Sequence, residues 1–202
     1  MSGRAIRPYR ARDLAALRRV CVLTGKAGGD ATGQWSDDDL LPDVFLEPFV
    51  TMAPGTAWTV EQDGRPVGYL VGSLDTAAFA ATWRRQWTPV FSQRHPRIAA
   101  NPAEQWLCDF GYEPGWMLGP QVEAYPAHLH IDLLPEAHGS GYGPGLMREF
   151  GLAAIAAGVP GIHHGMARDN AQALAFYTRL GFQQLPHESE ALLLGIDPAR
   201  LV

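Results

Sequence analysis

An α/β fold built on a mixed central sheet is what this 202-residue sequence predicts, and three observations carry the prediction. Two β-rich runs, AWTVEQ and RPVGYLVGS, flank Asp63-Gly64, a dipeptide suited to the left-handed backbone of a tight hairpin turn. Further on, a strand over Ala127 to Leu134 runs into glycines and then a pattern of helical period, a β-turn-α unit. A second short strand, GIHHGMA, is followed by another helical stretch, AQALAFYTRL. The order β-α-β-β, a long insert, then β-α-β-α-β is that of a mixed sheet flanked by helices.

Taken in order, AIRPYR opens as a strand, and Asp13 is placed to cap a helix whose apolar positions Leu14, Leu17, Val20 and Cys21 recur at helical spacing. Residues 25 to 43 carry glycines and an acidic run, which read as a solvated loop and helix start, and a short helix is expected around Val44 to Met52. Residues 76 to 125 form an aromatic-rich insert between the third and fourth strands, patterned as short helices broken at Pro89, Pro96, Pro102 and Pro114. Its Trp83, Trp87, Trp106 and Trp116 need burial, which a local helical subcore provides; the same surface can cap a substrate pocket or form a homodimer contact. The helix after the glycines places Leu146, Met147, Phe150, Ala154 and Ile155 on one face and ends at Gly158 and Pro160. Asn170 or Asp169 caps the next helix, which stops at Gly181 with Phe182 folding back on its last turn, and residues 182 to 196 supply one or two closing strands. The length suits one domain over residues 1–202.

Composition narrows the function classes. A formal charge of −5 argues against a nucleic-acid partner, and no apolar run approaches the roughly 20 residues of a membrane helix. The start, MSGRAIRPYR, lacks the apolar stretch of a secretory signal, so the cytoplasm is the expected compartment and no membrane partner is expected. Cys21 and Cys108 show no metal or disulfide spacing and read as two reduced thiols.

The segment HLHIDLLPEAHGSGYGPGLM, residues 128 to 147, holds two competing signals. On a strand, His128, His130 and Asp132 share one face and could meet a metal ion. Against that, His stands neither at Leu133 nor at another position suited to complete the site, because His163 and His164 are adjacent and face opposite ways. The second signal is a strand, glycines and a helix start, which direct backbone N–H groups and the positive end of the helix dipole at one point, where an anion fits. It is neither a Walker loop nor a dinucleotide fingerprint, since both spacings fail.

The run Pro135 to Gly143, followed by Leu146 and Met147, resembles the acetyl-CoA loop of the GNAT acetyltransferases, Arg/Gln-x-x-Gly-x-Gly/Ala. Their second signature, N-x-x-A-x-x-F-Y-x-x-L-G-F, is matched by Asn170, Ala173, Phe176, Tyr177, Leu180, Gly181 and Phe182. The insert and YPAHLHIDLLPEAHG further resemble the acetyltransferase-like C-terminal domain of O-GlcNAcases, which implies a free-standing bacterial relative that keeps its cofactor glycines and has no glycosidase domain.

The resemblance implies a GNAT fold, acetyl-CoA (CoA) as cofactor and acetyl transfer to an amine, whether a small molecule or a peptide. It also implies an alternative: a weak or inactive acetyl-CoA binder serving as sensor or interaction module. The loop backbone of His138, Gly139, Ser140, Gly141, Tyr142 and Gly143 is expected on the pyrophosphate, with His138 departing from the family's Arg or Gln. Ile131 and Leu133 are expected to hold the pantetheine arm and acetyl carbonyl, and Asn170 and Phe176 to touch CoA from the last helix. Tyr177 is implied as the general acid at the departing thiolate. Many relatives carry a strand Glu where this chain has Gly165, so the proton acceptor is sought at His130 or Asp132, with Glu123 next; His128, His163 and His164 are read as structural or surface residues.

Overall fold

The structure, a computed structural model, describes residues 3–186 and 191–202. Its core is one seven-stranded sheet in the order β1-β2-β3-β4-β5-β7-β6. The strands are β1 (Arg4–Pro8), β2 (Ala57–Gln62), β3 (Arg65–Ser73), β4 (Ala127–Leu133), β5 (Ile162–Met166), β6 (Gln183–Gln184) and β7 (Leu192–Ile196). Every pairing is antiparallel except β4 with β5. Asp63 and Gly64 both take positive φ, 51° and 78°, so the β2–β3 hairpin turns as its dipeptide requires.

Alternation along β3 sends side chains to both faces and divides the core. Tyr69 and Val71 pack into one apolar cluster with α1 (Leu14–Thr24), α2 (Leu40–Phe45), α3 (Glu47–Met52) and the insert. Leu70 joins the other cluster, with α7 (Tyr142–Ala156) and α8 (Ala171–Leu180), and so does Val67, the extra residue at a register shift between β2 and β3 that resets the alternation. The insert contributes α4 (Thr76–Thr82), α5 (Thr88–Arg94) and α6 (Gln105–Tyr112), and the aromatics do form a subcore. Phe49 stacks on Phe79 at 4.6 Å, Trp83 is fully buried, and its indole donates to the Gly111 carbonyl at 2.9 Å. Phe91 lies so close to Gly111 that a β-carbon there would sit 2.1 Å from the ring.

Several local expectations need correction. Asp13 stands at the N-cap position of α1, yet its carboxylate makes no cap bond there; it accepts from Arg7, at 2.6 and 2.9 Å, and from the Arg10 amide. The single helix expected near Val44 to Met52 is two, α2 and α3, because Leu46 leaves helical geometry at φ −132°, ψ −64°. Pro89 does not break the insert: a π-helical turn over Trp83–Trp87 precedes α5, and a proline in a helix's first turn has no N–H partner to lose. Ile155 is 44% exposed, since the buried stripe of α7 runs through Leu146, Met147, Phe150 and Ala154. No helix among the described residues is long and apolar enough to cross a membrane.

The feature that positions the site is the parallel pair. β4 and β5 match only at Ala127–Ile162 and His128–His163, after which they diverge. Backbone alternation turns the N–H and C=O groups of residues 127, 129, 131 and 133 toward β5. The Ala127 amide still reaches the Gly161 carbonyl, but the Leu129 carbonyl accepts instead from His164 Nδ1 at 3.0 Å. Beyond it, Ile131 and Leu133 face an open wedge.

Candidate active site

The wedge opens into a cleft of about 660 Å³ bordered by β4, β5, the 137–144 loop, α8, α1 and the loop after it. One half is the glycine loop. Gly139 and Gly141 have φ of 70° and 81° with open space around each, and Gly141 enters α7 with no side chain capping the helix. The first amides of α7 therefore stay free for an anion. Gly143 serves a different need, since a β-carbon there would lie 2.8 Å from the Phe176 ring, which packs over the helix start.

His138 folds back over this loop. Its Nε2 lies 3.0 Å from the Leu133 carbonyl, which can only accept, so Nε2 carries the proton and Nδ1 is left to accept from Gln172 at 3.4 Å. The ring thereby ties the end of β4 to α8. Asn170 caps α8 through the Ala173 amide at 2.9 Å, and Gly181 ends it at φ 92°. Of the residues expected at the cofactor, Ile131, Leu133, His138, Gly139, Gly141, Tyr142, Gly143, Asn170 and Phe176 border the cleft, whereas Ser140 does not. The Tyr142 hydroxyl is buried and meets no hydrogen-bond partner among the described residues.

The middle of the cleft holds the titratable groups. Tyr177 is 2% exposed and packs on His164 with ring centres 4.5 Å apart. Burial, with the Asp132 charge nearby, raises its phenol above the ordinary value, so it stays protonated. Asp132 and His130 project from β4 on the α1–α2 side, both partly exposed to the cleft. The Asp132 carboxylate accepts from the Tyr69 hydroxyl at 2.5 Å, with Thr24 beside it. Desolvation outweighs those bonds and raises its pKa.

His130 moves the other way. Packed 5.1 Å from both Phe45 and Phe49, it is lowered to about 3, first by burial and then by repulsion from His164 and His163. Its Nε2 is buried and unpartnered. The ordinary order of the two groups is thus inverted, because burial penalises a cation at His130 and an anion at Asp132, leaving the carboxylate the stronger base.

His128, His163 and His164 are buried, so the surface alternative does not hold for them. His128 stacks on His163 at 5.6 Å and hydrogen-bonds Thr76 at 2.8 Å, while His163 reaches the Tyr125 carbonyl at 2.7 Å. No cluster of three or more metal-ligating side chains occurs among the described residues. Glu123 is exposed and does not border the cleft. Gly165 does border it, and a β-carbon there would meet nothing within 4 Å.

Sequence reasoning missed Tyr69 and Thr24, which reach Asp132, and Phe45 and Trp106, which enter the cleft from α2 and α6. It also missed Gln172 and Arg179, although their spacing with Phe176 on one face of α8 was a usable signal.

A strand splayed from its parallel neighbour, opening onto uncapped amides at a helix start, defines the architecture of an acyltransferase. The chain belongs to the acetyltransferase (GNAT) family, whose model matches residues 27–182. It is similar to the crystal structure of SsHAT, at 38% identity and a TM-score of 0.91, over 97% of this chain and 98% of that one. Two more distant structures share the fold. One is the PaiA N-acetyltransferase of Thermoplasma acidophilum in complex with coenzyme A, at 13% identity, TM-score 0.57, and 96% and 99% coverage. The other is YncA of Salmonella typhimurium, a putative acetyltransferase with its cofactor acetyl-CoA, at 14% identity, TM-score 0.55, and 96% and 94% coverage.

Proposed function

We propose that this protein transfers the acetyl group of acetyl-CoA to a primary amine. The observation that carries the reading is the wedge between β4 and β5, which ends at Gly139, Gly141 and the uncapped start of α7. The residues fit the cofactor: free loop amides suit a pyrophosphate, the open edge of Ile131 and Leu133 suits the amide groups of a pantetheine arm, and the orphaned Tyr142 hydroxyl gains a partner. Ser140 does not border the cleft, and in this reading it contributes at most through its backbone amide. Asn170 and Phe176 flank the arm from α8.

Acetyl-CoA supplies an activated thioester, and transfer to an ammonium yields an amide, a free thiol and one proton. The β4 backbone N–H groups polarise the acetyl carbonyl, as an oxyanion hole does. Asp132 takes the first proton from the ammonium at a carboxylate oxygen, a role for which its raised pKa suits it better than His130. His130 remains neutral and offers a hydrogen bond. Tyr177 delivers its phenolic proton to the sulfur and recovers one from the nitrogen that has become an amide. Gly165, where relatives place a Glu, leaves this duty to Asp132.

The motifs quoted above support a further reading, that the chain is a bacterial relative of the O-GlcNAcase C-terminal domain. Two buried, unpaired cysteines support a cytoplasmic location.

The test is calorimetric titration with acetyl-CoA, comparing wild type with Gly141→Glu, alongside thiol release over an amine panel. Binding lost in Gly141→Glu and turnover lost in Asp132→Asn by at least roughly 100-fold are expected. Absence of binding by the wild type sinks the reading. Binding without turnover of any amine assigns the protein to the sensor class.

A further inference from the structure

The half of the cleft on the α1–α2 side differs sharply from the cofactor half. Its wall is Phe45, Trp106 and Leu41, with the backbone of Gly25 and Gly28 from the loop after α1. The Phe45 ring stands 5.1 Å from His130 and 6.2 Å from Trp106, and Trp106 meets Trp35 edge-on at 6.1 Å. Trp106, which also packs on Phe110 at 5.3 Å, is 41% exposed and borders the cleft, so part of its ring stays open to a ligand. Asp132 is the one formally charged side chain at this end, and the buried Nε2 of His130 lies beside it without a partner.

Equally telling is what borders the cleft elsewhere. Among the described residues that line it, the only permanently cationic side chain is Arg179, on α8 in the cofactor half. Lys26 sits between Gly25 and Ala27, yet only those neighbours reach the cleft. The Thr24 hydroxyl is already engaged, by the Val20 carbonyl at 2.8 Å and by Asp132 beside it. A carboxylate in the acceptor would find no cation here and would face Asp132. A second ammonium would find no second anion, and a peptide backbone would lose its water without gaining hydrogen bonds.

From this arrangement, and resting on the acetyl-transfer reading, we infer that the acceptor is a small monoamine on an uncharged apolar body, without a carboxylate. Its ammonium pairs with Asp132 and donates to His130 Nε2, and its body lies on Phe45 and Trp106. Both rings offer π-faces near that ammonium, which adds a cation–π attraction in a desolvated site. Neutral His130 is what makes the arrangement work, because an imidazolium at that position would repel the substrate.

The experiment compares four acceptors with acetyl-CoA saturating: 2-phenylethylamine, phenylalanine, spermidine and an N-terminally blocked lysine peptide. Thiol release gives kcat/KM, and calorimetry on the CoA-saturated protein gives amine binding independently of turnover. Expected is a preference of roughly 100-fold for 2-phenylethylamine over phenylalanine, the cost of setting a carboxylate against Asp132. It should also outrank spermidine and the peptide. Trp106→Ala should raise the KM for 2-phenylethylamine by about tenfold or more while the affinity for CoA holds, a loss typical of removing a tryptophan anchor. Equal or better use of phenylalanine, spermidine or the peptide overturns the inference. So does a CoA-saturated protein that binds none of the four, an outcome that leaves acetyl-CoA binding itself intact. Failure to bind acetyl-CoA would instead take down the reading beneath it.

Discussion

Lowering the pH from 7 to 5 should strip this protein of much of its stability, and the histidines at the β4–β5 junction set the size of the loss. His128, His130, His163 and His164 all have pKa values below the ordinary 6.5, with burial the first cause in each. A group whose folded pKa is depressed in this way binds its proton first in the unfolded chain, so stability falls as pH drops below 6.5. At pH 5 an unfolded imidazole gains RT ln(1 + 10^1.5), about 2 kcal/mol, against about 0.2 kcal/mol at pH 7. His130 at about 3 and His164 at about 4 stay neutral in the folded protein at pH 5. Together these two remove about 4 kcal/mol, and His128, pushed well below its ordinary value by burial, acts in the same direction.

That loss is comparable with the ~5–15 kcal/mol that holds a typical domain together. Asp13, Asp43 and Glu104 have lowered pKa values, so their contributions are lost only below the carboxylate range, outside this window. Asp132 acts in the opposite sense, because its raised pKa lets the folded state take a proton first as the pH falls. Urea unfolding at pH 7, 6 and 5 reads the effect directly. The midpoint should fall steeply, with at least about two protons taken up on unfolding at pH 5, and His164→Gln should reduce that uptake by about one. Stability constant to within about 1 kcal/mol across the range would refute the reasoning.

Tyr69→Phe removes the hydroxyl that stabilises the Asp132 anion, so the acid limb of the kcat profile should move to higher pH while acetyl-CoA affinity holds. Tyr177→Phe should lower kcat by roughly 100-fold or more with near-native unfolding midpoints, since the ring stays packed on His164; equal kcat would remove Tyr177 from the proton path. Gly111→Ala should cost about 1–3 kcal/mol in urea unfolding, because the new methyl group collides with the Phe91 ring in a filled core.

Legibility in the sequence followed the range of the forces involved. The glycine loop and the Asn170 to Phe182 helix were readable because a left-handed φ, an N-cap and a helical stripe are decided within a few residues. Asp13 misled for the opposite reason: its local position is that of a cap, but Arg7 and Thr59 claim its carboxylate from other elements. The wedge was invisible, since it depends on where two strands separated by α7 stop pairing. HLHID could be placed on its strand face, yet the relative basicity of His130 and Asp132 could not. That balance comes from Phe45 and Phe49, which bury the imidazole from α2 and α3, and from Tyr69 on β3. Trp106 shows the same limit, because only the folded insert brings it to the cleft.

The two matched pairs that join β4 to β5 have a mechanical meaning as well. They make the sheet a hinged panel, with β1 to β4 on one leaf and β5, β7 and β6 on the other. On the proposed reading, an extended ligand lying along Ile131 and Leu133 would extend the missing ladder and behave as a temporary strand between the leaves. Release of that ligand amounts to pulling a strand from a sheet, so the rate of turnover and the rigidity of the scaffold draw on the same few backbone bonds.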